Sequence, residues 1–177
     1  GDMLAESFAR SFDTPVVLLR PFNTYGPRQS ERAVISTVIR QALDPRCSSI
    51  QLGDLSPRRD FTFVADTAAA FMMLGAATQA EMGVVYNAGS GRAVSIAQLV
   101  EIIRNITGCN KPVEAESRRI RPENSEVREL LASADRLRNL TGWSAATSLE
   151  IGLARTIDWW AKRLQDGNVR NGSGYIV

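Results

Sequence analysis

Apolar residues along the chain recur in two rhythms, one helical and one continuous, separated by polar loops. Asp2 to Ser11 carries Met3, Leu4, Phe8 and Ala9 on one helical stripe. Pro15 to Arg20 is a short apolar run closed by Pro21, the pattern of a strand buried on both faces of a parallel sheet. Glu31 to Leu43 returns to helical spacing through Val34, Ile35, Val38, Ile39 and Ala42. Ser49 to Gly53 and Asp60 to Val64 read as short strands around a turn with Asp54 and Pro57, and Asp66 to Ala77 as an Ala/Met-rich helix. Val84 to Asn87 predicts another strand, ended by Ala88-Gly89-Ser90-Gly91.

Ser95 and Gln98 have capping-box spacing ahead of Ile96, Leu99, Val100, Ile103 and Ile106, a helix that should stop at Gly108. Val113 to Glu116 suits a strand, Arg118 to Asn124 a basic loop, and Ala134 to Leu140 a short helix closed by Gly142. Thr147 and Glu150 form a second capping-box pattern before Leu149, Leu153, Ile157, Trp160 and Leu164. The alternation predicts an α/β class with fewer strands than a complete doubly wound sheet. One body over 1–163 and a flexible tail over 164–177 are expected.

Composition narrows the chemistry more than the fold. The 177 residues are 44% hydrophobic and 23% charged, ordinary for a globular domain. Twenty-one Lys plus Arg against 19 Asp plus Glu leave +2, too balanced for a nucleic-acid or membrane-surface protein. Zero His excludes a His-based triad, a His-ligated metal and a His proton shuttle within the chain, and no metal site is expected. Cys47 and Cys109 are far apart, which predicts buried structural thiols. The Met72-Met73 and Trp159-Trp160 pairs read as core. The longest apolar run, Ala68 to Ala77, falls short of the roughly 20 residues that span a bilayer, so a cytoplasmic protein is expected.

Candidate chemistry gathers in three polar clusters. Asn23 lies in Arg20-Pro21-Phe22-Asn23-Thr24-Tyr25-Gly26-Pro27, where its amide either meets a ligand or closes its own turn. Arg58-Arg59-Asp60 and Arg118-Arg119-Ile120-Arg121 offer guanidinium forks suited to phosphate oxygens. The competing reading is a solvated turn with Asp60, Glu123 or Glu126 as surface partners. Ala88-Gly89-Ser90-Gly91 follows a strand but does not fit the dinucleotide-binding glycine pattern. No Gly-x-x-Gly-x-x-Gly and no Tyr-x-x-x-Lys occurs, and no carboxylate pair is placed for acid–base work. The clusters suggest anion binding without reaction machinery.

Five segments in order, RPFNTYGPRQS at 20–30, LGDLSPRRDFTFVADTA at 52–68, YNAGSG at 86–91, RIRPENSEV at 119–127 and ADRLRNLTGW at 134–143, resemble one family. It is the extended short-chain dehydrogenase/reductase family of NAD-dependent nucleotide-sugar epimerases and dehydratases. The first loop is most similar to that of bacterial UDP-N-acetylglucosamine and legionaminic-type 4,6-dehydratases; Ser36 departs, where Pro is expected.

The resemblance implies the C-terminal part of a Rossmann-like fold: the last core strands plus the small substrate-binding domain, with the N-terminal dinucleotide-binding part absent. It places Pro21 and Phe22 beside the nicotinamide of NAD, a cofactor bound mainly by the missing half. Asn23, Arg59 and Arg121 would meet the diphosphate of a nucleotide sugar, with Asn87 near the nucleotide and Val34 near the base. No catalytic residue is implied in this chain, whose partners would be the nucleotide-diphosphate sugar, the missing Rossmann half and, in the full-length protein, a second copy. The implied reaction is 4,6-dehydration, with the isolated chain inactive; the alternatives are a 4-epimerase fragment or a stand-alone, non-catalytic binding module.

Overall fold

The computed structural model describes residues 1–116 and 127–167. These form two compact units: 1–24, 59–93 and 130–148 make the first, and, of the described residues, 25–58, 94–116, 127–129 and 149–167 make the second. The basic loop expected at Arg118 to Asn124 and the tail beyond 167 lie outside the described residues.

The first unit is built on a parallel pair, β1 (Leu18–Pro21) and β6 (Val85–Ala88), in the register Leu18↔Val85 through Pro21↔Ala88. Between them in sequence come β2 (Thr24–Tyr25), β3 (Ile50–Leu52), β4 (Arg58–Asp60) and β5 (Thr62–Phe63). α1 (Asp2–Phe12) precedes β1, and α3 (Val64–Ala76) and α5 (Asp135–Thr141) complete this unit's helices. A core of Ala70, Leu74, Tyr86, Ala88, Leu137 and Trp143 lies among α3, α5 and β6. Its polar edges are satisfied: Trp143 Nε1 donates to the Asp66 carbonyl at 3.0 Å, and the Glu81 amide donates to the Tyr86 hydroxyl at 3.1 Å.

The second unit repeats the plan. β3 pairs in parallel with β8 (Val113–Ala115), and α2 (Val34–Leu43), α4 (Ile96–Thr107) and α6 (Leu149–Gln165) pack on one another. Val38, Ile39, Leu99, Ile103, Leu153 and Trp160 are almost wholly buried there. The Ser95–Gln98 capping box forms in both directions, and α4 stops where Gly108 turns left-handed at φ 67°. The remaining strands, including β7 (Ala93–Ser95) and β9 (Glu129–Leu130), pair as β2 with β5 and as β7-β4-β9.

This corrects the expected fold class. Parallel strands alternate with helices in each unit, a Rossmann-like α/β pattern, and this replaces the expected C-terminal remnant of such a fold.

Three smaller expectations also change. The Thr147–Glu150 capping box does not form: α6 begins only at Leu149, and Thr147 donates its amide and hydroxyl to the Asp66 carboxylate at 3.0 and 3.2 Å. Met72 and Met73 are not core, being 75% and 38% exposed, because the buried stripe of α3 runs through Thr67, Ala70 and Leu74. Of the thiols, Cys109 is buried and Cys47 only half-buried. Met3, Leu4, Phe8 and Phe12 of α1 are exposed.

Candidate functional site

Ligands of open α/β sheets collect beyond the carboxyl ends of parallel strands. At that end of β1 and β6 lie Pro21, Phe22 and Asn23 on one side and Asn87 to Gly91 on the other. The Phe22 amide donates to the Ala88 carbonyl at 2.8 Å, which ties the two segments together just past the strands. Pro21 is exposed and Phe22 half-buried.

Asn23 has φ 26°, in the left-handed region that Asn tolerates better than most residues. Its side chain does not close its own turn. Nδ2 donates to the Asp60 carbonyl at 2.9 Å, 37 residues away, and the Thr62 amide donates back to the Asn23 carbonyl at 3.4 Å. Asn87 is half-buried and donates through Nδ2 to the Ser133 carbonyl at 3.4 Å.

The residue that organises this corner was read from sequence only as a surface partner for arginines. Asp60 is 0% exposed, at the end of β4. Its Oδ1 accepts from the Ser90 amide at 2.9 Å and from the Ser90 hydroxyl; its Oδ2 accepts from the amides of Gly91 at 2.9 Å and Ala132 at 3.2 Å. A buried carboxylate held by several donors meets the usual requirement for charge inside a protein. Gly89 is required beside it, because a Cβ there would collide with Ala132 Cβ and stand 2.8 Å from Asp60 Oδ2.

The glycine-containing loop after β6 therefore already holds an anion, the protein's own carboxylate. Its Ser90 and Gly91 amides are committed to Asp60. An acid directly after two arginines looks solvent-facing in sequence; the available clue is that apolar Phe61 and Phe63 follow it closely.

Arg59, on β4 beside Asp60, is half-buried. Arg58 pairs with Glu129 at 3.2 Å, both side chains being largely exposed, so that pair contributes little. Val34 opens α2 in the second unit and is half-buried. Tyr25, also in that unit, is buried and donates its hydroxyl to the Leu149 carbonyl at 3.2 Å. Arg121 lies outside the described residues. The structure thus brings together Pro21, Phe22, Asn23 and Asn87 around Asp60, and Arg59 precedes Asp60 on β4. Among the described residues, no group of three or more Cys, Asp or Glu is placed to hold a metal, and no helix is long and apolar enough to cross a membrane.

Compared with known proteins, residues 1–156 match the family described as GDP-mannose 4,6 dehydratase. The chain belongs to that family. It is 31% identical to mouse dTDP-D-glucose 4,6-dehydratase over 171 residues, covering 94% of this chain and 46% of that protein. The solved UDP-glucuronic acid 4-epimerase of Bacillus cereus, in complex with UDP-glucuronic acid and NAD, is 25% identical with a TM-score of 0.82 over 92% of this chain and 50% of its own. RMD from Pseudomonas aeruginosa, complexed with NADPH, is 27% identical with a TM-score of 0.82 over 92% of this chain and 54% of its own. The chain spans about half the length of these relatives.

These findings bear out the kinship to nucleotide-sugar dehydratases and epimerases and correct two expectations drawn from the motifs. Recognition as a C-terminal half does not stand: the family match begins at residue 1 and takes in the N-terminal portion of this chain, 1–156. NAD held mainly by a missing half does not stand either. The similar solved structures carry NAD in one case and NADPH in another, so the cofactor of the relatives is NAD(P).

Proposed function

We propose that the chain supplies nucleotide-sugar-binding residues to an NAD(P)-dependent 4,6-dehydratase, with Asn23 and Arg59 toward the diphosphate, Asn87 near the nucleotide and Val34 near the base. Arg121 is assigned to the diphosphate as well, on the family resemblance alone. The observation that carries the reading is the gathering of Asn23 and Asn87 at the carboxyl ends of β1 and β6, with Arg59 next in sequence to Asp60, whose carbonyl holds Asn23. A half-buried Arg one residue before the carbonyl that holds Asn23, and an Asn amide with one N–H left to donate, are groups that suit phosphate oxygens.

Pro21 and Phe22 present an apolar strand end of the kind that lies against a flat ring, and they would face the nicotinamide. When bound, the cofactor supplies the hydride acceptor for oxidation at C4 of the hexose; loss of water across C5 and C6 and hydride return at C6 complete the reaction. The chain's own part is to bind and orient the substrate, because neither the Tyr-x-x-x-Lys pair nor a carboxylate pair occurs in it. By itself it is inactive. A 4-epimerase is the second reading, supported by the likeness to the Bacillus cereus epimerase.

The test is calorimetric titration of UDP-glucuronic acid and dTDP-glucose into the purified chain, with NAD reduction followed in parallel. Measurable binding that falls about tenfold or more in Arg59→Ala, without turnover, is the expected result. No binding at millimolar nucleotide sugar would overturn the proposal, and turnover by the chain alone would overturn the claim of inactivity.

A further inference from the structure

Asp60 is buried, carries no assigned role, and touches every segment of the corner described above. Both of its oxygens face backbone N–H groups, Ser90 at Oδ1 and Gly91 with Ala132 at Oδ2, while its own carbonyl holds Asn23 Nδ2. The carboxylate is thus clamped by three backbone donors and one hydroxyl, and the clamp fixes the peptide that orients the Asn23 amide.

We infer that Asp60 is a positioning residue for nucleotide-sugar binding: its charge locks the Ser90–Gly91 loop and Ala132, and through its own carbonyl it sets the direction in which Asn23 presents its free N–H. The inference rests on the proposed binding role of Asn23 and deepens it. It accounts for why an acid, and not an isosteric amide, stands here. In an Asn at this position one oxygen becomes an NH2 group, and either orientation sets that group against a backbone N–H that cannot turn into an acceptor. A Ser90 hydroxyl could rotate; the amides of Ser90, Gly91 and Ala132 cannot. A Glu would be one methylene too long for a place where Gly89 leaves no space even for a methyl group.

The experiment uses the full 15N-labelled chain in three forms, wild type, Asp60→Asn and Ser90→Ala, with UDP-glucuronic acid as the probe. In the free chain Asp60→Asn shifts the Asn23 side-chain NH2 signals together with the amides of Gly91 and Ala132, while the signals of Ala70 and Leu74 in the core of the same unit stay in place and report that the fold persists. Ser90→Ala removes one donor, keeps the carboxylate, and moves the Asn23 signals in the same direction by less.

In the titration, Asp60→Asn weakens binding by about tenfold or more, and the double variant with Asn23→Ala binds no more weakly than Asn23→Ala alone. A residue with a merely structural role would give the product of the two single effects. Unmoved Asn23 signals in both variants, or a multiplicative double variant, would overturn the inference. Failure of the wild type to bind the probe would instead overturn the binding role of Asn23, with the shift of the Asn23 amide in the free chain still deciding whether Asp60 positions it.

Discussion

In each unit a charged side chain gathers several backbone groups, and the two are opposites. In the first unit the Asp60 carboxylate collects N–H groups from Ser90, Gly91 and Ala132. In the second, the Lys111 ammonium collects carbonyls at the end of α2, from Gln41 at 2.7 Å, Ala42 at 3.1 Å and Asp44 at 2.7 Å. The Lys111 arrangement is a helix C-cap: it satisfies the last carbonyls and matches the negative end of the helix dipole. The Asp60 arrangement joins segments far apart in sequence at the ends of parallel strands. It is fully buried, whereas Lys111 is half-buried. One knot holds a helix end, and the other ties together the segments at the carboxyl ends of β1 and β6, the proposed binding corner.

The contrast is broken most severely at Asp60. Asp60→Ala leaves the buried Ala132 N–H and the N–H groups of Ser90 and Gly91 without their acceptor and should destabilise the first unit by about 2–4 kcal/mol, read from urea denaturation. A loss below about 1 kcal/mol would mean that water replaces the carboxylate and that the knot is not a fold determinant. Lys111→Met keeps the aliphatic stem and removes only the cap, so the expected loss is about 1–2 kcal/mol, without effect on nucleotide-sugar binding. Weakened binding in Lys111→Met would contradict the division of roles.

The smallest effect belongs to the turn after α2. The Arg46 side-chain hydrogen bond, then the Arg46 amide, hold the Asp44 carboxyl down from 3.8 to about 2. A depressed carboxyl contributes stability that is fully present above its unfolded value near 4 and is lost as the pH falls through about 2. Between pH 5 and 2 the melting temperature of wild type should therefore approach that of Asp44→Asn, from a small initial advantage. A constant difference across that range would rule out the ion pair as its source.

Much of the fold was legible because local periodicity suffices for amphipathic helices. α2 and α4 fall where Val34 to Ala42 and Ile96 to Ile103 place them, and the Ser95–Gln98 box forms as its spacing predicts. The Thr147–Glu150 pattern failed for a non-local reason: Asp66, 81 residues away, takes both the amide and the hydroxyl of Thr147. Met72 and Met73 misled because an Ala-rich helix offers several apolar stripes, and only tertiary packing selects which is buried.

At the site, the strand ends and their polar loops were visible in the sequence. Asp60 was not, since an acid next to two arginines looks like half of a surface ion pair until its donors, 30 and 72 residues away, are known. Short β2, β7 and β9 left no periodic signal of their own.

The proposed nucleotide-sugar site lies at the carboxyl ends of β1 and β6. The most direct measurement is chemical-shift mapping of the 15N-labelled chain during titration with UDP-glucuronic acid. The predicted result is that the largest shifts cluster at Asn23, Arg59, Asn87 and Ser90. Shifts concentrated away from these residues, or none at saturating probe, would contradict it.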